Sequence, residues 1–330
     1  MNKVVAFHSY QLGGRGSEVS LYKYAKYNKE ILGNKSIIVS TDSRPTPTLQ
    51  MFKNDFDVFL YPDVWVNDGK NDSLRNSIEK ICQKNSVEYF YAQKGGESDG
   101  ILPKNVKKTL SHAMFRMDEP HGDVYAGISE YLSKKYNKND FLDYIVELDV
   151  DSNENLRDIL NIPKDAIVFG RHGGSDTFNL GFVYQSIINI LNKRNDVYFL
   201  FLGTNVFYEH PNIKYINWTS SLENKSKFIN TCDAMIHARY DGETFGLAVA
   251  EFSIRNKPVI TWNPDIIPDH YDYAHISILK DKGIYYKNGN DLESIILSIS
   301  KPDIEKSDWN AYRDYTPNKI IQKFENIFLN

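Results

Sequence analysis

Residues 233–262 constrain the fold more than any other part of this 330-residue chain. Their first apolar run, 234–236, predicts a buried strand, and a short polar turn follows it. The next segment is almost wholly apolar, which predicts a buried helix with Thr244 as its N-cap and an end near Asn256. A second apolar run, 259–262, predicts another strand. Strand, loop, helix and strand in this order form the unit of a parallel α/β sheet.

Two glutamates stand out in this segment. Glu251 lies in the middle of the apolar helix, where an unpaired carboxylate is unfavourable unless a ligand or a cation satisfies it. Glu243 lies at the helix entrance, about 12 Å of helical rise away, so the two carboxylates suit the two ends of one extended ligand. Between them lie three backbone amides that favour an anion, those of Phe245, Gly246 and Leu247. This order predicts a site for a sugar, a diphosphate and a ribose.

The pattern resembles the Glu-x7-Glu signature of retaining nucleotide-sugar glycosyltransferases with the GT-B fold, above all glycosyltransferase family 4. Both glutamates, the Phe-Gly after the first and the later Lys-Pro-Val-Ile match. The resemblance implies that Glu243 lies near the donor sugar and that Glu251 binds the ribose hydroxyls. It also implies two Rossmann-like, doubly wound domains facing a cleft. The alternative is a buried helix whose Glu251 only pairs with Arg239 or Arg255.

Further donor-binding residues follow from the same resemblance. A predicted strand at 166–170 precedes Arg171, His172, Gly173 and Gly174, and family members clamp the diphosphate with an arginine at this place and a lysine about ten residues later. Arg171, Gly173 and Gly174 are therefore candidates, but Leu180 stands where the lysine is usual. Three other cations are alternatives: Lys225, Lys227 and Arg239. Trp218 and Thr219 are candidates for contacts to the nucleobase, with a buried aromatic residue as the other interpretation.

A glycine-rich turn, 13–17, lies between a predicted strand at 4–9 and a predicted helix at 18–31. Such a turn can cradle phosphate, although it lacks both the Walker lysine and the third glycine of a dinucleotide fingerprint. A plain tight turn is the alternative. The resemblance implies that Gly14, Arg15 and Gly16 face the donor phosphate and the acceptor.

Two histidines are catalytic candidates. His112 lies in a predicted strand at 109–115, and His121 lies in a polar turn before a helix expected to open at 127–129. The resemblance implies that a histidine after this strand contacts the donor sugar or the transferred proton. His112 matches best by position and His121 is the second candidate, while a structural role fits either one equally well.

The remaining pattern predicts alternating strands and helices. Strands are expected at 36–40, 58–61, 89–93, 197–203, 214–218 and 275–279, helices at 72–84, 222–230, 291–299 and 317–328, and a turn at 285–289. The chain length suits two domains. We expect an acceptor domain at 1–150, a nucleotide-sugar domain at 151–315, and a last helix at 316–330 that crosses back to the first domain.

Composition narrows the classes of protein and partner. With 41% hydrophobic residues the chain can bury two cores, and a net charge of −4 argues against nucleic acid as a partner. Cys82 and Cys232 are expected to be reduced core residues, and no spacing of Cys and His indicates zinc. We expect no cofactor and no required metal. The first apolar run is too short for a signal peptide, which predicts a cytoplasmic protein. A peripheral membrane contact is one interpretation of the basic residues Lys23, Lys26 and Lys29. The alternative is an ordinary helix face exposed to solvent.

These observations predict a retaining glycosyltransferase that moves a sugar from a nucleoside-diphosphate sugar to a glycan, lipid or small-molecule acceptor. Closure of the cleft would bring donor and acceptor together. Enzymatic alternatives on the same fold are a sugar-nucleotide epimerase or hydrolase, or a phosphorylase. The absent lysine near Leu180 favours a further alternative, an inert sugar-nucleotide-binding protein.

Overall fold

The structure is a computed structural model that describes residues 2–13, 16–41, 46–62, 71–148, 153–219 and 221–330. The chain forms two compact units. Unit 1 contains Met1–Ile145 together with Asp314–Asn330, and unit 2 contains Val146–Arg313. Across the described ranges, no helix has both the length and the apolar character needed to cross a membrane.

Unit 1 is built on a six-stranded, wholly parallel sheet. Its elements up to residue 145 are β1 (Val4–His8), α1 (Gly16–Glu30), β2 (Lys35–Thr41), α2 (Pro47–Asp55), β3 (Asp57–Tyr61), α3 (Asp72–Lys84), β4 (Tyr89–Lys94), β5 (Lys108–Ala113), β6 (Val124–Gly127) and α4 (Glu130–Lys135). The strand order is β3-β2-β1-β4-β5-β6. The order reverses between β1 and β4, and ligands of such sheets bind beyond the carboxyl ends of the strands at this switch point.

Unit 2 repeats this plan with a second six-stranded parallel sheet. Its elements are β7 (Ile167–His172), α5 (Gly181–Lys193), β8 (Val197–Leu202), β9 (Ile213–Ile216), α6 (Leu222–Thr231), β10 (Ala234–His237), β11 (Gly242–Glu243), α7 (Leu247–Ser253), β12 (Val259–Trp262), β13 (Asp272–Tyr273), α8 (Ala274–Leu279), β14 (Gly283–Tyr286), α9 (Gly289–Ser298) and α10 (Lys301–Glu305). The order β14-β12-β10-β7-β8-β9 places the switch point between β7 and β10. The short strands β11 and β13 pair separately.

The last residues of the chain complete unit 1. Helix α11 (Pro317–Phe324) and a π-helical turn (Glu325–Leu329) bury their apolar side chains there. The ring of Phe324 stacks on Phe7 of β1 at 5.9 Å, and the ring of Phe328 lies 5.8 Å from Tyr91 of β4. The terminal segment therefore covers one face of the sheet at its two central strands.

Most predicted elements are confirmed, and the differences are local. Residues 275–279 form helix α8 rather than a strand, because His275 and Leu279 are buried at the four-residue spacing of a helix face. Tyr285 and Tyr286 end strand β14, so the predicted turn at 285–289 is wrong in its first half. Thr244 does not cap α7, because the helix begins only after Gly246, which adopts a left-handed conformation at φ 85°.

The structure also describes the environments of Lys23 and of the two cysteines. Lys23 is buried and its ammonium donates to the carbonyl of Ile145, so it does not belong to an exposed basic face. Cys82 and Cys232 are free and buried, as predicted. Burial raises the pKa of the Cys82 thiol to about 12, which keeps it protonated.

A close approach of helices to the sheet depends on Gly170 in β7. A Cβ atom at this position would lie 2.2 Å from the Sγ of Cys232 and 3.1 Å from the Cζ of Phe252. We therefore expect Gly170→Ala to lower the free energy of unfolding of unit 2 by about 1–3 kcal/mol through overpacking. Denaturant unfolding followed by fluorescence measures this.

The matched control is Gly181→Ala at the first residue of α5. No heavy atom would lie within 4 Å of its Cβ, and alanine favours the helix. Equal destabilisation by both substitutions would contradict the proposed packing.

Candidate functional site

Polar side chains gather at the carboxyl ends of three adjacent strands in unit 2. Strand β7 ends in Arg171 and His172, and β10 ends in His237. Thr261 of the neighbouring strand β12 pairs with His237. These positions flank the switch point between β7 and β10. In a parallel sheet this is the edge at which ligands bind, so the topology selects this cluster as the candidate site.

Glu243 is held in this site by backbone geometry. It follows Gly242, whose φ is 66° and whose Cβ, if present, would lie 1.9 Å from the carbonyl oxygen of Asp272. Only glycine therefore allows β11 to pair with β13 here. The carboxylate accepts a hydrogen bond from Arg239 Nη1 at 3.0 Å, and its other oxygen lies 3.2 Å from His237 Nε2.

These contacts keep Glu243 ionised. Burial raises the pKa of the carboxyl, but the Arg239 guanidinium and the His237 imidazole outweigh it and lower the pKa to about 2. His237 is in turn fixed by Thr261, whose hydroxyl lies 2.8 Å from Nδ1. The same hydroxyl lies 3.1 Å from Nε2 of His275. The network positions a permanent negative charge at the sheet edge.

Arg171 is positioned just as firmly. Its guanidinium donates to Thr204 Oγ1 at 2.6 Å, to the Gly174 carbonyl at 2.6 Å and to the Thr177 hydroxyl. Burial lowers the pKa of Arg171 to about 10, and the charge of Glu243 opposes this shift. Arg171 and Glu243 are therefore within electrostatic range of each other. Arg171 therefore remains a cation, and its side chain holds the loop that contains Gly173 and Gly174.

Glu251 projects from α7 and is only 1% exposed. One carboxylate oxygen accepts from Lys225 Nζ at 2.9 Å, and the other lies 3.2 Å from His172 Nε2. Burial lowers the pKa of His172 to about 4, against the attraction of Glu251. Lys225 therefore supplies the full positive charge that balances the Glu251 carboxylate. From the sequence, Lys225 was considered only as a possible contact to the diphosphate.

The loop between the two glutamates contains the predicted donor-binding residues 245–247. Phe245 is buried and its ring meets Tyr312 at 5.6 Å, while its carbonyl accepts a hydrogen bond from the tyrosine hydroxyl at 3.0 Å. Gly246 caps α7, and Leu247 is the first helical residue. Binding of an anion by these amides stays a prediction.

The other predicted residues of unit 2 have distinct environments. Leu180 is buried in the core at the start of α5, so this place holds no cation. Lys227 pairs at the surface with Glu154 and Glu223. Trp218 is 48% exposed, which disfavours the interpretation as a buried aromatic residue, and its neighbour Thr219 accepts a hydrogen bond from the Ser221 amide. Their contact with a nucleobase stays a prediction.

His112 lies in the core of unit 1. It is 0% exposed, its Nδ1 lies 2.5 Å from the Tyr91 hydroxyl and its Nε2 lies 2.8 Å from the Leu142 carbonyl. Burial lowers its pKa to about 3, so the ring is neutral. Both ring nitrogens are engaged, which is the environment of a structural histidine. The catalytic role of His112 stays a prediction.

The structure describes only some of the remaining candidate residues of unit 1. His121 Nδ1 lies 2.7 Å from the carbonyl of Glu119, and its ring is half-buried against Tyr125. Gly16 is the first residue of α1. Gly14 and Arg15 lie outside the described residues. Within the part of the chain that the structure describes, no three Cys, His, Asp or Glu side chains come together as metal ligands.

Sequence reasoning missed His237, Thr261 and His275. A usable signal existed for the first two, because each is a polar residue at the end of an apolar strand and parallel strands end at the same sheet edge. His275 had no such signal, since it was assigned to a strand.

Comparison with known proteins identifies the fold. No protein-family model matches the chain. No curated protein matches it either. Among solved structures, the glycosyltransferase from Rickettsia africae ESF-5 has a TM-score of 0.72 at 16% identity over 99% of this chain and 97% of that one. Anabaena Alr3699/HepE, solved with UDP and glucose, has a TM-score of 0.72 at 12% identity over 99% of both chains.

A third solved structure is a proposed UDP-N-acetylglucosamine 2-epimerase from Listeria monocytogenes, with a TM-score of 0.63 at 12% identity over 98% of this chain and 94% of that one. At these identities the likeness concerns the fold. The two parallel six-stranded sheets with flanking helices are the GT-B fold, so the predicted fold class is confirmed.

The pairing of Glu251 generates a stability prediction. We expect Lys225→Met to reduce the free energy of unfolding by about 3–5 kcal/mol, because it leaves a buried carboxylate without its full positive charge. Adding Glu251→Gln should restore most of the loss. Denaturant unfolding of the single and double variants measures the coupling.

Lys227→Met on the same helix is the matched control, since its ion pairs lie at the surface. A Lys225→Met loss no larger than that of Lys227→Met would contradict the assigned pairing.

Glu243 generates a pH prediction. Its folded pKa of about 2 lies below the ordinary value of 4.5, so the stability it contributes is complete above about pH 4.5 and disappears as the pH falls through 2. We expect Glu243→Gln to be less stable than the wild type at pH 6, with a difference that narrows towards pH 3. Denaturant midpoints over this range measure it.

Glu154→Gln is the matched control, because this carboxylate is 68% exposed and pairs with Lys227 at the surface. A Glu243→Gln difference that stays constant from pH 6 to pH 3 would count against the assigned ionisation.

Proposed function

We propose that the chain is a retaining glycosyltransferase that takes its sugar from a nucleoside-diphosphate sugar. The observation that carries this proposal is the Glu243–Glu251 pair at the end of β7, where Glu243 lies within electrostatic range of Arg171 and Glu251 lies 3.2 Å from His172. The fold supports it, because two solved neighbours are named as complexes of Anabaena Alr3699/HepE with UDP and glucose and with UDP-glucose.

In this proposal Glu251 binds the ribose hydroxyls. One carboxylate oxygen contacts the Lys225 ammonium and the other lies near His172, and an ionised carboxylate accepts hydrogen bonds from hydroxyl groups. Lys225 then acts as a positioning residue that fixes the carboxylate and balances its charge.

Glu243 and the two arginines serve the reacting groups. As the bond to the leaving diphosphate breaks, positive charge develops on the sugar and negative charge on the diphosphate. The permanently ionised Glu243 stabilises the first, and Arg171 and Arg239 stabilise the second as fixed cations that need little reorganisation. The proposal requires no metal and no cofactor. It places no amino acid as a covalent nucleophile: the acceptor hydroxyl attacks on the face of the leaving group, its proton passes to the departing diphosphate, and the configuration is retained.

An epimerase or hydrolase is the second candidate, because a proposed UDP-N-acetylglucosamine 2-epimerase shares the fold over nearly the whole chain. An inert binding protein is the third, because the buried Leu180 removes a cation that the resemblance leads one to expect. Following both the released UDP or GDP and the chemical identity of the remaining sugar nucleotide separates all three. A transferase releases nucleotide only with an acceptor, an epimerase or hydrolase changes the donor without one, and an inert protein binds it unchanged.

We expect the two glutamates to separate binding from turnover. Glu251→Gln should weaken nucleotide-sugar binding about 10- to 100-fold, equal to about 1.4–2.8 kcal/mol, since it removes a charged hydrogen-bond acceptor. Glu243→Gln should leave binding within about threefold and lower kcat by about 100-fold or more. Calorimetric titration with UDP- and GDP-sugars and steady-state kinetics measure the two effects.

Glu223→Gln on the surface of α6 is the control for both. Unchanged affinity of folded Glu251→Gln would argue strongly against the proposal, and inversion of the anomeric configuration in the product, read by NMR, would overturn the retaining assignment.

A further inference from the structure

Two imidazoles of the unit 2 site are joined through one hydroxyl group. Thr261 Oγ1 lies 2.8 Å from Nδ1 of His237 and 3.1 Å from Nε2 of His275. His237 continues the chain, because its Nε2 lies 3.2 Å from one carboxylate oxygen of Glu243. The two histidines and the threonine are all buried. In such a buried chain each contact needs one donor and one acceptor, so the placing of one proton decides the placing of the next.

Glu243 decides the direction of the protons in this chain. Arg239 Nη1 donates to its other oxygen at 3.0 Å, and against the effect of burial this charge and the His237 imidazole lower the pKa of the carboxyl to about 2. An ionised carboxylate can only accept hydrogen bonds, so His237 Nε2 must carry the proton of their contact. Arg239 already balances the charge of Glu243, and a neutral His237 leaves the buried group without surplus charge. Nδ1 of His237 is then a bare acceptor.

The remaining protons follow from this one. Because Nδ1 of His237 accepts, the hydroxyl of Thr261 must donate to it. Thr261 Oγ1 then accepts from His275, so the proton of His275 lies on Nε2 and its Nδ1 is bare. Burial lowers the pKa of His275 well below its ordinary value, which keeps this ring neutral. Among the described residues, His275 Nδ1 is buried and has no hydrogen-bond partner, and unpaired acceptors are less rare in protein interiors than unpaired N–H donors.

We propose that Thr261 and His275 are positioning residues of the candidate site. Through the ordered chain they hold His237 with its Nε2–H directed at Glu243. The carboxylate thereby has a donor on each oxygen, His237 on one and Arg239 on the other, which fixes its plane. That this orientation serves sugar transfer rests on the function proposed above; the order of the protons does not.

The packing around His275 suits it to this role. Its ring lies 4.9 Å from the His237 ring and meets the ring of Tyr271 edge to face at 6.2 Å. A Cβ atom on Gly246 would lie 3.1 Å from the Cβ of His275, so the start of α8 lies close against the loop that enters α7. His275 is therefore held by its neighbours, and it can in turn hold the hydroxyl of Thr261.

The order of the protons is tested by NMR on the full-length protein, labelled with nitrogen-15 in its histidines and measured at pH 8 without any ligand. Long-range proton–nitrogen correlations distinguish the two tautomers of a neutral ring from the cation. His237→Gln and His275→Gln assign the two rings by the signals that they remove. We expect both rings to be neutral with the proton on Nε2. A proton on Nδ1 of either ring, including a His237 protonated on both nitrogens, would overturn the inference.

Thr261→Val removes the hydroxyl with little change of shape. We expect His275 then to show both tautomers, because its Nε2–H has lost its acceptor, while His237 keeps its proton on Nε2 for Glu243. Thr261→Ser should restore the wild-type pattern. An unchanged His275 in folded Thr261→Val would contradict the chain, and the wild-type spectrum decides the order of the protons even if this variant does not fold.

Thr231→Val is the matched control. Thr231 is also fully buried in unit 2, and its hydroxyl also has two partners, since it donates to the Lys227 carbonyl at 2.7 Å and accepts from the Leu156 amide at 2.8 Å. It should leave the signals of both histidines as they are in the wild type. Melting temperatures verify the fold of each variant.

Turnover of a nucleotide-sugar donor is the second readout. Thr261→Val should lower kcat about tenfold and leave the donor Kd within about threefold, because a displaced Glu243 weakens the transition state more than the bound donor. Thr261→Ser should recover most of the loss, and Thr231→Val should cause none. Wild-type turnover by folded Thr261→Val, or an equal loss in Thr231→Val, would overturn the positioning role. A chain that turns over no donor would refute the proposed function, and the histidine spectra would still decide the order of the protons.

Discussion

The structure of the candidate site depends on keeping carboxylates charged beneath the protein surface. Each of the two glutamates has its own cationic partner from unit 2, Arg239 for Glu243 and Lys225 for Glu251. A buried ion pair contributes little net stability, because the desolvation of two charges offsets most of their attraction. What the pairs do provide is a fixed orientation. The apolar packing around α7 and β7 offsets the desolvation free energy of these pairs, and Gly170 lets the helix lie close to the sheet there.

The two units use the same topology in related ways. In each, a parallel sheet reverses its strand order beside its first strand, and buried polar side chains lie where the two strands at that point end. In unit 2 the cluster carries strong charges of both signs, while in unit 1 it combines the buried His8 with the ion pair of Lys94 and Asp99. Fold alone does not give chemistry, and the two clusters differ in charge although the two sheets share a topology.

The sequence predicted the fold class and most elements because apolar runs and the turns between them repeat clearly in both halves. It placed Glu251 in a buried helix from the absence of a polar face, and this was right. It did not place Lys225 beside Glu251, since the two lie 26 positions apart and only the packing of α6 against α7 brings them together. His275 was lost for a different reason: a six-residue apolar segment has too few residues to separate a helical from an extended period. The predicted Thr244 cap was wrong because the N-cap is Gly246, in a left-handed conformation, two residues further along the chain.

The covering of the unit 1 sheet by the final seventeen residues affects the order in which the protein can form. The segment from residue 314 onward supplies aromatic rings that contact Phe7 and Tyr91, yet it leaves the ribosome only after all of unit 2. The first 145 residues therefore emerge without the side chains that close one face of their sheet, whereas unit 2 is contiguous and is complete before that segment emerges. During translation the second half of this protein can reach its native packing while the first half still waits for the terminus, the reverse of the usual order from N- to C-terminus.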